Sequence, residues 1–184
     1  SVLTAIQTME AINTEKYDIT PIYISKEGRW YTGEALRTSA NYKNMESLYK
    51  ACTEVYLRPT SGDNNLYKVK KPLFGSDIVT KLDVIIPALH GTNCKDGSFQ
   101  GTIEMTGIPY AGCNVLASAN GMDKITMKMI LKESGIPVVD YAWFSDKEWL
   151  SEREACVERA EALNYPLIVT PANLGSSVGI KAVH

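Results

Sequence analysis

An apolar, β-branched run, Leu167-Ile168-Val169, passes through Thr170-Pro171-Ala172-Asn173-Leu174 into Gly175-Ser176-Ser177-Val178-Gly179, and a second apolar run begins at Ile180. The two runs read as strands, and the glycines and serines between them read as the tip of a hairpin. Small residues there let backbone N–H groups and hydroxyls converge on an anion, as phosphate-cradling loops do. The segment matches neither the P-loop pattern nor the dinucleotide fingerprint, and a plain hairpin turn accounts for the same residues.

At 184 residues the chain has room for one large domain or two small ones. Its 45% hydrophobic and 22% charged residues are ordinary for a globular protein with a sizeable core. A net charge of −2 provides no basic field for nucleic acid or an anionic membrane surface. Nothing approaches the roughly 20 consecutive apolar residues of a membrane span, and no basic stretch followed by an apolar one opens the chain. Cys52, Cys94, Cys113 and Cys156 are scattered, without a Cys-x-x-Cys pair, and His90 and His184 are the only histidines. This argues against a structural zinc site and for reduced thiols in the cytoplasm.

Val2, Ile6, Met9 and Ile12 recur at helical spacing, so the chain opens in a helix. Residues 19–24 read as a strand near a sheet edge because of Pro21, Ser25-Lys26-Glu27-Gly28 as a turn, and Trp30-Tyr31 as extended. Residues 38–71 are polar and weakly periodic, with a turn at Ser61-Gly62-Asp63-Asn64-Asn65 and room for short strands. The continuous apolar run Val84-Ile85-Ile86-Pro87-Ala88-Leu89 predicts a buried strand of a parallel sheet. A short helix around Phe99 to Met105 and an extended piece from Ile108 follow. Met122, Ile125, Met129 and Ile130 share a helical face that stops at Gly135. Residues 138–144 predict a strand and residues 148–163 an amphipathic helix carrying Leu150, Val157, Ala160 and Leu163. Alternating strands and helices give an α/β class, with a boundary near residues 115–121.

Three places carry chemistry-bearing residues. His90-Gly91 follows the carboxyl end of the predicted strand, the edge where open α/β sheets bind ligands; a surface histidine in a turn explains it equally. Met122-Asp123-Lys124 opens a helix, where Asp123 suits the positive end of the dipole and Lys124 can reach a phosphate; a solvated lysine is the plain alternative. The third is the loop at residues 175–179. No Ser-His-Asp arrangement can be assembled from these residues.

Taken together, the motifs run in one order: His90-Gly91 with Asp96-Gly97 and Gln100-Gly101; Ile108-Pro109-Tyr110 with Gly112; Ser118-Ala119 with Met122-Asp123-Lys124; Gly135-Ile136-Pro137; Asn164-Tyr165-Pro166; and Pro171-Ala172-Asn173-Leu174-Gly175-Ser176-Ser177-Val178-Gly179. Along nearly its whole length, and most densely from Val84, the chain resembles the D-alanine–D-alanine ligases of the ATP-grasp superfamily. The resemblance implies an ATP-dependent cytoplasmic ligase of peptidoglycan precursor synthesis, in which ATP phosphorylates one D-alanine carboxylate and a second D-alanine attacks the acyl phosphate. It implies a Rossmann-like parallel-sheet domain at residues 1–117, through which the family usually dimerises, and the small α+β central ATP-grasp lobe at residues 118–184. By position His90 and Lys95 stand at the substrate. Lys124, Thr170, Gly175, Ser176, Ser177, Val178 and Gly179 stand at the ATP phosphates, with Ser176 also ordering the reacting groups. Magnesium would neutralise the phosphates.

Two residues depart from the family pattern. Lys95 replaces a common glutamate, and Thr170 replaces the lysine of a Val-Lys-Pro sequence. A neutral contact in place of a charge-assisted one to phosphate forfeits roughly 1–3 kcal/mol or more. The family's first strand, with its substrate-contacting glutamate, is expected before Ser1. Its adenine pocket, metal ligands and transition-state arginine are expected beyond His184, so the chain alone is expected to be inactive. The alternatives are a non-catalytic α/β binding module, or an ATP-grasp ligase with another acceptor such as D-lactate or D-serine.

Overall fold

The computed structural model describes residues 1–91 and 93–184. They form two compact units: Ser1–His90 with Phe99–Gly112, and Gly91–Ser98 with Cys113–His184. Among the described residues no helix is long and apolar enough to cross a membrane.

In the first unit the expected opening helix is α1 (Val2–Ala11). Strands β1 (Ile22–Ile24), β2 (Trp30–Thr32), β3 (Thr53–Leu57), β4 (Asn65–Lys68) and β5 (Ile78–Lys81) then form a five-stranded sheet in chain order, each pair antiparallel. β1 is an edge strand and begins only after Pro21, whose carbonyl accepts the Thr32 hydroxyl at 2.7 Å; proline has no N–H to extend the ladder. Between β2 and β3 lie two 3-10 turns and α2 (Met45–Ala51), whose N-cap Asn44 accepts the Ser47 amide at 3.1 Å. Sequence periodicity misses α2 because Leu48 is its only buried side chain.

The core follows from the two-residue period of the strands. Val55 and Leu57 of β3 and Leu66 of β4 turn to the apolar side, while Tyr56 and Tyr67 stack on the other with ring centroids 5.6 Å apart. α3 (Ser98–Glu104) brings Phe99 and Ile103 onto that apolar side, where Val55, Leu66, Leu82, Ile103 and Ile108 form one buried cluster. Thr106 is buried beside it and satisfied: its hydroxyl donates to the Ile103 carbonyl at 2.7 Å and accepts the Ile108 amide at 3.2 Å.

The run at residues 84–89 is not the buried parallel strand its composition predicts. Its parallel pairing is a single bridge from Ile85 to Tyr110, closed by Ile85 N–H on Pro109 O and Ala111 N–H on Ile85 O, each 2.9 Å. Val84 and Ile86 flank the bridge and remain 49% and 51% exposed, so an apolar run here marks one packed residue rather than a strand covered on both faces.

The second unit is built from α4 (Val115–Met122), α5 (Lys124–Glu133), α6 (Asp146–Ser151), α7 (Arg153–Glu161) and an antiparallel hairpin of β6 (Leu167–Val169) and β7 (Lys181–Val183). Three of these four helices, all but α7, carry side-chain N-caps. Asn114 accepts the Ala117 amide at 2.9 Å, Asp123 accepts the Thr126 amide at 2.7 Å, and Ser145 and Glu148 form a reciprocal capping box. α5 ends as predicted: Gly135 takes φ +73°, its amide donates to Lys132 O at 3.1 Å, and the Ile136 amide donates to Leu131 O at 2.9 Å. Two expectations fail. Residues 138–144 join no ladder, and the helix predicted over 148–163 divides at Glu152, whose φ −137° and ψ 47° lie outside the helical region.

Candidate functional site: the Gly/Ser hairpin loop and Lys124

The loop predicted at the hairpin tip is two successive turns. The Val178 amide donates to Gly175 O at 3.1 Å across Ser176 and Ser177, whose φ values of 53° and 59° are both left-handed, as a type I′ turn requires. The Ile180 amide then reaches Ser177 O at 3.4 Å, with Gly179 at φ +75°. A side chain at Gly179 would be strained by that φ, and its Cβ would lie 2.8 Å from Cγ of Pro171. Gly179 therefore packs against the Pro171 ring, closing the base of the loop. Residues 173–180 are exposed, leaving the turn amides and the Ser176 and Ser177 hydroxyls at the surface. Consecutive turns of small residues are a backbone setting in which N–H groups form anion-binding concavities.

Lys124 stands at the base of the same loop. Its amide donates to Ala172 O at 3.1 Å. Its Nζ donates to Pro171 O at 3.1 Å, to Ala172 O at 3.4 Å and to Leu174 O. The lysine is half-buried rather than solvated. Asp123 caps α5, fixing the turn from which Lys124 projects. Thr170 is exposed, and its hydroxyl donates to Pro171 O at 3.4 Å. Lys124, Thr170 and residues 171–179 are thus gathered in the second unit.

The substrate-side candidates fall in both units. His90, exposed at the end of the 84–89 run in the first, has Nε2 3.4 Å from the Thr4 hydroxyl on α1. Lys95, in the second, is exposed, and its amide donates to Gly91 O at 3.1 Å. Asp96 orders that loop by accepting the amides of Asn93 at 2.7 Å and Ser98 at 3.1 Å. Partial burial opposes ionisation of Asp96, and the amide hydrogen bonds outweigh it, holding the carboxyl below its ordinary range. Gly97 has φ +93°, and a Cβ there would meet the Val115 carbonyl oxygen at 2.8 Å. Sequence reading missed the carbonyls of Pro171, Ala172 and Leu174, which are backbone atoms and leave no compositional trace. The spacing of Pro171 and Gly179 is the one available signal. Among the described residues no three His, Cys, Asp or Glu side chains are grouped to hold a metal ion.

Comparison with known proteins matches residues 1–113 to the model for the D-ala D-ala ligase N-terminus and residues 130–184 to that for the D-ala D-ala ligase C-terminus. The D-alanine–D-alanine ligase of Bacillus velezensis is 40% identical over 98% of this chain and 50% of its own length. That of Bacillus cytotoxicus is 41% identical over 98% of this chain and 49% of its own. Among solved structures, the VanG D-Ala:D-Ser ligase of Enterococcus faecalis superposes with a TM-score of 0.80 at 32% identity, covering 99% of this chain and 50% of that one. The chain spans about half the length of the curated relatives it matches.

Proposed function

From the premise that this mixed α/β chain belongs to the D-alanine–D-alanine ligase family, we propose that the protein carrying it joins two D-alanines with ATP for peptidoglycan precursor synthesis. The observation that supports this reading best is the assembly of Lys124 and the exposed 175–179 turns around one hairpin, a cation and a set of free-facing small residues suited to a polyphosphate.

In the proposed reaction a D-alanine carboxylate oxygen attacks the γ-phosphorus of ATP, giving an acyl phosphate and ADP. The amine of the second D-alanine attacks the acyl carbon, the C–O bond to phosphate breaks, and the amine proton is lost as the amide forms. His90 and Lys95 are the residues of this chain assigned to the first D-alanine. The loop of Gly175, Ser176, Ser177, Val178 and Gly179 covers the phosphates and keeps water from the acyl phosphate. Ser176 is assigned the hydrogen bonds that order the reacting groups. Magnesium, when bound, supplies charge neutralisation at the phosphates. Thr170 offers a hydroxyl where a lysine would offer charge. In this reading the substrate side is assigned to residues 1–117, with dimerisation through it, and the nucleotide side to residues 118–184, in a cytoplasmic enzyme; the compact units differ from that division at residues 91–98 and 113–117.

The test is ADP release by the full-length protein with ATP and D-alanine, with the product identified by mass spectrometry. Release that depends on D-alanine, with the dipeptide as product, is expected. A mixed product formed only when D-serine or D-lactate is added would reassign the acceptor, and absence of any amino-acid-dependent release would contradict the reading.

A further inference from the structure

A lysine ammonium has three N–H donors and no acceptor. At Lys124 the structure gives Nζ three acceptors, the carbonyls of Pro171, Ala172 and Leu174, and the Lys124 amide adds a fourth contact, also to Ala172 O. These carbonyls occupy the four residues before the Gly/Ser turns, on the segment whose Pro171 ring also packs against Gly179. One side chain on the first turn of α5 therefore ties down both ends of the loop's base: the strand exit directly, and the return at Gly179 through Pro171.

We propose that Lys124 is a positioning residue as well as a phosphate ligand: without nucleotide its ammonium anchors residues 171–174 to α5 and sets the frame from which the 175–179 turns project. The same three N–H groups cannot serve these carbonyls and a phosphate together. Nucleotide binding then releases at least part of the anchor, coupling the freedom of the loop to occupancy of the phosphate site. The anchoring stands on the geometry alone; its consequence for nucleotide rests on the phosphate reading above.

The experiment is made without nucleotide, so that its failure is a failure of anchoring and leaves the phosphate assignment to the ligase assay. Amide exchange is followed by NMR at positions 124, 178 and 180, whose N–H groups donate to Ala172, Gly175 and Ser177. Loss of charge-assisted hydrogen bonds predicts that Lys124→Met accelerates these amides about tenfold or more, that Lys124→Arg recovers much of the protection, and that the β3 and β4 amides are unmoved. Exchange in Lys124→Met within about twofold of the unsubstituted chain would overturn the proposal. Should Lys124→Met fail to fold, the ammonium of the unsubstituted chain decides. A lysine Nζ–H resonance sheltered from water and absent from Lys124→Arg supports the anchor, and its absence from the unsubstituted chain contradicts it.

Discussion

Nine of the ten buried hydrophobic side chains among the described residues belong to the first unit, five of them meeting in one cluster beneath the sheet; the tenth, Cys156, is alone in the second. The second unit relies on directional polar devices instead: three side-chain N-caps, a glycine C-terminal cap at Gly135, the Asp96 turn and the Lys124 ammonium among carbonyls. Phe144, Trp149, Leu167 and Val169 line an open apolar groove there, and Ile168 is 72% exposed. Non-directional burial resists local opening, whereas individual hydrogen bonds each contribute only about 0.5–1.5 kcal/mol net. The candidate phosphate loop therefore sits on the more easily opened scaffold, as expected of an element that must admit and release a ligand.

The largest effect that can break this contrast is in the core. Leu66, fully buried against Val55, Leu82, Ile103 and Ile108, is expected to cost about 2–5 kcal/mol when changed to alanine, read as a lowered denaturation midpoint by circular dichroism. A loss near zero would mean that the cluster does not hold the unit. Function sharpens the contrast from the other side. Thr170→Lys in the full-length protein is expected to tighten ATP binding roughly tenfold by calorimetry, leaving the denaturation midpoint unchanged. Equal affinities would remove Thr170 from the proposed phosphate site.

Gly97→Ala forces a left-handed alanine against the Val115 carbonyl and should cost about 1–3 kcal/mol, with faster amide exchange confined to the second unit. Ser145→Ala removes one half of the capping box and should cost about 0.5–2 kcal/mol, seen as fraying of α6. The smallest effect is in pH. Glu148 is held below its usual range first by the Ser145 amide and then by the Ser145 hydroxyl, and Asp96 is held low by its amides against partial burial. A depressed carboxyl stabilises fully above its unfolded pKa, about 4, and that contribution is lost as pH falls through the lower folded value. In the first unit, burial likewise opposes ionisation of Asp63 and its hydrogen bonds from Tyr67 and Asn65 outweigh it, so acid below about pH 4 should weaken both units. Stability of either unit unchanged as pH falls through that range would contradict the assignment.

Where local chemistry decides the outcome, the sequence was legible. The Val2 to Ile12 periodicity gave α1, Gly135 gave the end of α5, Pro21 gave an edge strand, and the paired apolar runs gave the β6–β7 hairpin with its turns. Where partners decide, it was not. Residues 84–89 and 138–144 have strand composition, but a ladder needs a second strand, and only Ile85 finds one. Residues 148–163 have helical spacing, but Leu150 is 83% exposed, so no continuous buried face joins α6 to α7 across Glu152. At the candidate site the motif identified Lys124 and the loop, while the carbonyls that receive Lys124 are common to every residue type and invisible to composition.

Native-state hydrogen exchange on the 184-residue chain tests the contrast most directly. The account predicts that the paired amides of β3 and β4 exchange at least about a hundredfold more slowly than those of β6 and β7, through separate opening events. Equal protection of the two sheets, lost together in one transition, would contradict it.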